Sequence, residues 1–507
     1  DGYVDLDKND SHDVLEYAML CNSAVGTTKV KGNAVDVAIR RNGLKNKVDL
    51  ARFKKLDEIP FDFSRKRMGQ VVSEGKKTFM IVKGAPENVL EACSKIKISS
   101  TEYAVSSKGK YVRDLIQDYC SKGYSTIGVA YKDVNSNKTF SKKDEHDLIF
   151  IGFILLKNHA KLSVRPTLER LGSLNVQLKI VTGDDPLVTQ KLCEDIGVKI
   201  AGGRIILGSE IGAMGQKEFS DAVEQFNIFA RVNPEQKLRI IESLRQNGHV
   251  VGFLGDGIND APSLRTADVG ISVDTAADVA KGASHIILLK KDLDVICDGV
   301  EGGRKIFGNI TKYILNTMSA NQGNMITVAL ASFFLPFIPL LPSQILLNNL
   351  LSDLPLVSIA TDNVDKTYTR KPQKWNISFI VRFMIFFGLI STVFDIIFIS
   401  ISQFVLNLDM DTFRTAWFLE SVLSEMIIVF SLRTRLPFFK TMPSWMLFIS
   451  SVLAIAVSFG VIYFQPIAEA FHFVPLGYTE ILAVIAVIAA YFVATEIGKP
   501  IFFSKFA

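Results

Sequence analysis

The run Gly255-Asp-Gly-Ile-Asn-Asp-Ala-Pro262 sets the carboxylates of Asp256 and Asp260 and the amide of Asn259 around two glycines. Its lead-in, His249-Val-Val-Gly-Phe-Leu254, is apolar and β-branched and reads as a buried parallel strand. Acidic groups released at the C-terminal end of such a strand are placed to hold Mg²⁺ against a phosphate. A solvated Asp-Gly turn is the plainer reading of an isolated pair. So many specified positions after a hydrophobic strand argue against it.

Thr182-Gly-Asp184 closes another strand-like stretch, Val176-Gln-Leu-Lys-Ile-Val181. A hydroxyl and a free backbone amide at that point can grip phosphate oxygens, with Asp184 orienting them. Lys237 sits early in a helix opened by Asn233-Pro234. A buried lysine there could neutralise charge on a transferring phosphoryl group; a solvated helix lysine is the plainer alternative.

The elements that must position these groups follow from the pattern of the chain. Its 507 residues exceed one core, so two or more domains are expected. Hydrophobic residues make up 48%, and mean hydropathy is +0.24. Up to about Lys290 charged and apolar residues alternate as in a soluble α/β protein; beyond Ile310 long apolar runs take over. The net charge of +5 forms no basic stripe, which argues against nucleic acid. Five dispersed cysteines without a C-x-x-C pair suit a reducing cytoplasm rather than a disulfide framework or a zinc site. The acidic start, Asp1-Gly-Tyr-Val-Asp-Leu-Asp7, shows no signal peptide, and its interior-looking character leads to the expectation of a longer polypeptide.

Residues 1–147 read as one α/β unit. It has helices from Val14 and Asn33, and an antiparallel ribbon of Met68–Val72 and Thr78–Val82. A second unit, 148–308, begins with Ile149–Leu156 and alternates helix and strand, which implies a doubly wound parallel sheet. Residues 309–507 form an α-helical transmembrane bundle of six segments, near 311–338, 341–361, 378–404, 413–432, 443–465 and 477–497. Basic loops at Lys366–Lys374 and Arg433–Lys440 put both termini in the cytoplasm.

The three motifs together resemble those of the P-type ATPases, whose phosphorylation domain of dehalogenase-like fold carries T-G-D, a lysine in P-x-x-K, and G-D-G-x-N-D-x-P. The resemblance implies that Thr182, Gly183 and Lys237 hold phosphate, that Asp184 orients it, that Asp256 binds Mg²⁺, and that Asn259 and Asp260 order the site. It implies that the first unit binds ATP. Phe61, in Pro60-Phe-Asp-Phe-Ser-Arg-Lys-Arg-Met68, stacks on adenine, and Asp36 lies near the base. Lys66 and Lys83-Gly84 lie near the nucleotide. An aromatic face takes a base, and ammonium groups offset triphosphate charge. As bare residues, Phe61 and Phe63 would be core and Lys66 part of a solvated basic run.

Within the superfamily the chain is similar to the bacterial magnesium-transporting group, through Pro336–Pro342, Leu346–Asp353, Asp362–Asp365 and Lys371–Asn376. It departs from the family in lacking D-K-T-G-T, the segment of the phosphorylated aspartate. Asp365-Lys-Thr-Tyr-Thr369 is rejected as that nucleophile, because Tyr replaces Gly and it lies between membrane segments. The nucleophile, the actuator domain and further membrane helices are therefore expected upstream. Lys157-Asn-His-Ala160 stands where many relatives have Asp-Pro, and Ser125 replaces a common arginine.

Polar groups deep in apolar segments mark pathways. Asn321 and Asn324 lie about one turn apart, and Asn349, Ser352 and Asp353 precede Pro355, which frees helix carbonyls. By resemblance Asn321, Asn324, Asn349 and Asp353 fall on the transport site, and Glu425 matches an acidic ion ligand of calcium-pumping relatives. Glu420 is a further polar group on the segment of Glu425; for Asp395 and Asn316 interhelical contact is the plain reading. Few carboxylates and several amides suit a cation that keeps part of its water, as Mg²⁺ does. The leading expectation is an ATP-driven cation pump for Mg²⁺, with ATP, the cation and the lipid bilayer as partners. A calcium or proton pump, a membrane-anchored dehalogenase-fold phosphatase and a non-catalytic nucleotide-binding regulator are the alternatives.

Overall fold

The structure, a computed structural model, describes residues 2–26, 30, 32–62, 64–135, 140–157, 163–290 and 292–506. Phe63 and the 158–160 part of the Lys157–Ala160 segment lie outside the described residues. The chain divides into two compact units, Asp1–Leu168 with Gln177–Leu293, and Glu169–Val176 with Asp294–Ala507.

In the first unit, Arg67–Glu74 and Lys77–Gly84 form the expected antiparallel ribbon, turning at Gly75 with φ +59°. Only glycine adopts that left-handed conformation freely. Side chains alternate across the strands, so Val71, Met80 and Val82 enter one core while Val72, Phe79 and Ile81 enter another. Val112, Leu115 and Ile116 of the Val105–Ser121 helix cover the first face. Val14, Leu15 and Ala18 of His12–Leu20, with Ile39 of Ala34–Lys45, cover the second. Both helices start where a side chain satisfies free backbone donors: Ser11 accepts from Val14 N, and Asn33 from Asp36 N.

This sheet has eight strands, and Leu148–Lys157 is one of them. It pairs antiparallel with Tyr124–Asp133 and parallel with Cys93–Ile98. The stretch expected to open a second unit therefore completes the first sheet. A continuous apolar run is equally suited to any fully covered strand, so its partners were not encoded locally.

The remainder of the first unit carries parallel strands in two three-stranded sheets. One has the order Ile206–Leu207, Ile228–Ala230, Ile180–Val181; the other runs Gly252–Leu254, Val269–Val273, Ile286–Leu288. The burial expected for His249–Leu254 is not met: Val250 is 52% and Leu254 42% exposed. Gly252–Leu254 is an edge strand with Val269–Ile271 as its strand neighbour, so only one side is covered.

The second unit is helical. Asp294–Phe334 runs unbroken for 41 residues across the expected boundary at 308. Apolar residues concentrate beyond Ile310, but nothing in 294–310 stops the helix, so composition and secondary structure change at different places. Among the described residues, four helices are long and apolar enough to cross a membrane: Ile377–Val405, Met410–Leu432, Trp445–Tyr463 and Tyr478–Phe506. The two expected segments that carry the amides fall on Asp294–Phe334 and on Pro342–Ser358, a helix of 17 residues, and neither is among those four. Met410–Leu432 is the central span, with 89% of its apolar window buried against 33% in each of the others.

Asp365, rejected above as a nucleophile, is buried and already engaged. It accepts from Thr434 Oγ1 at 3.0 Å, Thr441 Oγ1 at 3.1 Å and the Arg435 amide at 3.3 Å. Neighbouring Asp362 takes Lys312 Nζ at 2.8 Å and Arg433 Nη1 at 3.2 Å. Both carboxylates tie loops between helices.

Candidate functional site

Two strand ends carry the phosphate-type groups. After Leu254 the chain turns at Gly255, where a Cβ would meet Asp260 Cβ at 2.7 Å, so the turn requires glycine. Ser272 Oγ fixes it by donating to the Gly255 carbonyl at 2.9 Å. Asp260 is 8% exposed and accepts from Lys237 Nζ at 2.9 Å and from the Gly257 amide at 3.2 Å. The lysine and the second aspartate of the motif thus meet, although 23 residues separate them. Asn233 caps the lysine's helix by accepting from Gln236 N, with Pro234 in the first turn, which sets the Lys237 stem toward Asp260. Asp256 and Asn259 remain exposed.

Thr182 follows Ile180–Val181. Its amide donates to the Phe229 carbonyl at 2.9 Å, and its carbonyl accepts from Val232 N at 3.0 Å. Its hydroxyl lies 2.9 Å from Asp184 Oδ2 and accepts from Asp184 N at 3.1 Å. Gly183 is exposed, and a Cβ there would meet only the Val232 carbonyl at 3.7 Å. Nothing in the protein's own packing demands glycine, which leaves its amide open to a ligand's close approach. Sequence reasoning missed the residues that brace this turn. Asp185 caps the next helix at Leu187 N and takes Arg231 Nη2 at 2.6 Å, while Arg231 also reaches Glu87 at 3.0 Å. The doubled aspartate in Thr182-Gly-Asp-Asp185 was the available signal.

In the first sheet, the residues expected near a nucleotide separate into two groups. Phe61 is 49% exposed, and Lys66 is exposed at φ +53° in the turn between two strands. Gly84 lets that turn pack tightly, because a Cβ there would meet the Lys66 carbonyl at 2.3 Å. Asp36 and Lys83 are instead 1% and 4% exposed and form an ion pair with each other. Asp36 also accepts from Ser23 Oγ at 2.5 Å and Asn33 Nδ2 at 2.9 Å. Burial opposes its ionisation, yet the Lys83 ammonium and the Ser23 donors outweigh burial and hold the carboxyl below its ordinary range. These two residues join strand to helix and do not present a free cation to solvent.

In the helical unit Asn324 donates to Glu425, which is 8% exposed, and Ser352 is within hydrogen-bonding reach of the same carboxylate. Asn321 and Asn349 are exposed and outside this cluster, and Asp353, also exposed, neighbours Glu425. Adjacent helix positions differ by about 100°. It is therefore Asn348 that is buried, donating to Ser421 Oγ at 3.0 Å, and not Asn349. Among the described residues no group of three or more His, Cys, Asp or Glu could hold a metal ion, so a cation here would draw on amide and hydroxyl oxygens.

A family model described as "P-type ATPase, cytoplasmic domain N" matches residues 10–162, and one described as "Cation transporting ATPase, C-terminus" matches 337–501. The chain is 39% identical over 487 residues to the "Magnesium-transporting ATPase, P-type 1" of Escherichia coli (strain K12), covering 90% of this chain and 53% of that protein. A Salmonella typhimurium (strain LT2) protein of the same name is 35% identical over 518 residues, covering 99% of this chain and 56% of that protein. A "Calcium-transporting ATPase" of Bacillus subtilis (strain 168) is 29% identical over 488 residues, covering 91% and 54%. The chain spans about half the length of the curated relatives it matches.

Proposed function

The chain belongs to the P-type cation-transporting ATPases and is a multi-pass membrane protein; from that premise we propose that it serves an ATP-driven pump whose cargo is Mg²⁺. The observation that carries this reading is the Lys237–Asp260 pair at 2.9 Å, set beside the exposed Asp256 and Asn259. It is an assembled acid–cation site left open on one side, and a plain Asp-Gly turn needs no such partner.

In this reading the chain supplies a nucleotide-binding domain that includes the Leu148–Lys157 strand, a phosphorylation domain that ends before Asp294–Phe334, and the membrane domain. The aspartate that becomes phosphorylated, the actuator domain and further membrane helices come from outside it. Phe61 offers its face to the adenine, with Lys66 beside the phosphates. Thr182 and the Gly183 amide hold the transferred phosphoryl group, and Asp184 fixes the Thr182 hydroxyl. Lys237 offsets the developing negative charge, and Asp260 keeps the ammonium in place. Asp256 with Asn259 would hold Mg²⁺, which when bound neutralises phosphate charge and polarises the phosphorus–oxygen bond. The open carboxylate and the absence of packing against Gly183 fit these occupants.

For the cargo, Asn324, Ser352 and Glu425 are the gathered donors, and Asp353, Asn349 and Asn321 lie on the same two helices. A set rich in amides and poor in carboxylates favours a partly hydrated Mg²⁺ over Ca²⁺. The relatives named for magnesium are also the more similar, at 35–39% identity against 29%. The protein is placed on the plasma membrane with its soluble domains cytoplasmic, following the basic loops.

The test is ATPase activity of the complete protein in lipid, titrating free Mg²⁺, Ca²⁺ and pH separately with ATP supplied as its Mn²⁺ complex. Saturable activation by free Mg²⁺, lost in Glu425→Gln, is expected. Activation by Ca²⁺ or protons alone would keep the architecture and overturn the cargo.

A further inference from the structure

The helical unit holds a second acidic cluster that the cation reading does not use. Glu420 precedes Glu425 on Met410–Leu432 by five residues, about 7.5 Å along the axis and about 140° around it. The two carboxylates therefore leave their helix in different directions. Glu420 is 0% exposed, and neither of its carboxylate oxygens has a hydrogen-bond partner. Asp395, 4% exposed on Ile377–Ser400, is its foremost charged neighbour, followed by Glu425.

The groups around the pair decide what it can hold. Thr327 Oγ1, on Asp294–Phe334, lies 2.7 Å from Asp395 Oδ2 and 3.0 Å from the Gly323 carbonyl. A hydroxyl has one proton, and a carbonyl can only accept. Thr327 cannot donate to both acceptors at once, so a protonated Asp395 that donates to Thr327 Oγ1 is the arrangement that satisfies both contacts. From Tyr478–Phe506 the facing titratable group is Tyr491, which neighbours Asp395, Glu420 and Glu425 and bonds Ser391. From Pro342–Ser358 it is Asp353, a neighbour of Glu425. Among the described residues no Lys, Arg or His pairs with Asp395 or Glu420, and no group of three or more His, Cys, Asp or Glu is placed to hold a metal ion. Two buried carboxylates with no cationic side chain beside them cannot both be ionised: each uncompensated charge costs several kcal/mol.

We propose that Asp395 and Glu420 form a proton-binding pair, separate from the Asn324–Ser352–Glu425 cluster, that holds protons inside the membrane domain. Proton binding by this pair does not depend on the pump reading above. Each proton taken up from water neutralises one carboxylate, and each released restores one negative charge.

Infrared spectroscopy of the complete protein in lipid at neutral pH, in H₂O and D₂O and without ATP, tests the pair. A carboxylic-acid C=O band that shifts in D₂O is expected. It should weaken in Asp395→Asn and in Glu420→Gln, lose most of its intensity in the double variant and persist in Glu425→Gln. Carbonyl-¹³C labelling of Asp or of Glu in the unaltered protein should move the same band, which identifies it even if a variant fails to fold. No band in the unaltered protein, or a band lost with Glu425→Gln alone, would overturn the pair. So would a band erased by saturating free Mg²⁺ in Glu425→Gln, which would make the site a metal site. Because no transport is read, failure here leaves the pump standing, and a pump that fails leaves the band.

Discussion

Asp256→Asn in the complete protein should lower Mg²⁺-dependent phosphoenzyme formation from ATP by at least about 10²-fold, the scale set by removing one electrostatic stabiliser from a phosphoryl-transfer site. Asp256 is exposed, and its backbone carbonyl accepts from Ala277 N at 3.1 Å, a bond that an Asn keeps. Its side chain carries no part of the fold that the substitution would disturb. The loss should therefore appear in acid-stable ³²P labelling while thermal unfolding stays where it was. Lys237→Ala should lose labelling too, but for a different reason. It removes an ammonium and leaves Asp260, 8% exposed, without its main counter-charge, so unfolding should shift as well. Unchanged labelling in Asp256→Asn would remove the carboxylate from the chemistry and return Gly255–Pro262 to a turn.

Asp36→Ala should destabilise the first sheet by about 3–5 kcal/mol, the cost of leaving one partner of a buried ion pair alone. The two partners are not equivalent. Asp36 keeps Ser23 and Asn33 as donors when Lys83 is removed, whereas Asp36 is the hydrogen-bond acceptor found for the Lys83 ammonium. Lys83→Met should therefore cost less, about 1–3 kcal/mol. Hydrogen exchange in Lys77–Gly84 reads both: amides there should exchange about 10²–10³-fold faster in Asp36→Ala, if they exchange through unfolding of that sheet. The pH dependence follows from the lowered Asp36 carboxyl. A depressed acid contributes its stability at neutral pH and loses it as pH falls through the folded-state value. Protection in that strand should thus collapse in acid in the unaltered protein and change little in Asp36→Asn. A Lys83→Met protein of full stability with weakened ATP binding would instead give the lysine back to the nucleotide.

The pair also shows where sequence stops being informative. The ribbon was legible because strand alternation and the Glu74-Gly75 turn are local signals, and both are found where expected. That Lys83 turns inward to Asp36, 47 residues away, is a tertiary fact with no local trace. The same limit governs Leu148–Lys157, whose apolar run fits any covered strand and which the structure places in the first sheet. For the strand before Gly255, hydrophobicity suggested burial, but coverage depends on neighbours and Leu254 is 42% exposed.

In the membrane domain, polarity alone does not tell which positions on a helix turn inward. Asn324 reaches Glu425 while Asn321, three residues earlier and about 60° away around the helix, is exposed. Asn348 is buried and donates to Ser421 Oγ, while its neighbour Asn349, one helix position on, is exposed. The Lys237–Asp260 contact was foreshadowed only by both residues belonging to motifs of one chemistry. Residue type and spacing thus pointed to the chemistry, and packing decided which side chains could take part.

The most direct measurement is ATP-driven ion accumulation by vesicles reconstituted with the complete protein, followed with internal Mg²⁺- and Ca²⁺-sensitive dyes. Mg²⁺ accumulation that requires ATP and is abolished by Asp256→Asn is predicted. Ca²⁺ accumulation without Mg²⁺, or ATP hydrolysis with no ion movement at all, would contradict a magnesium pump.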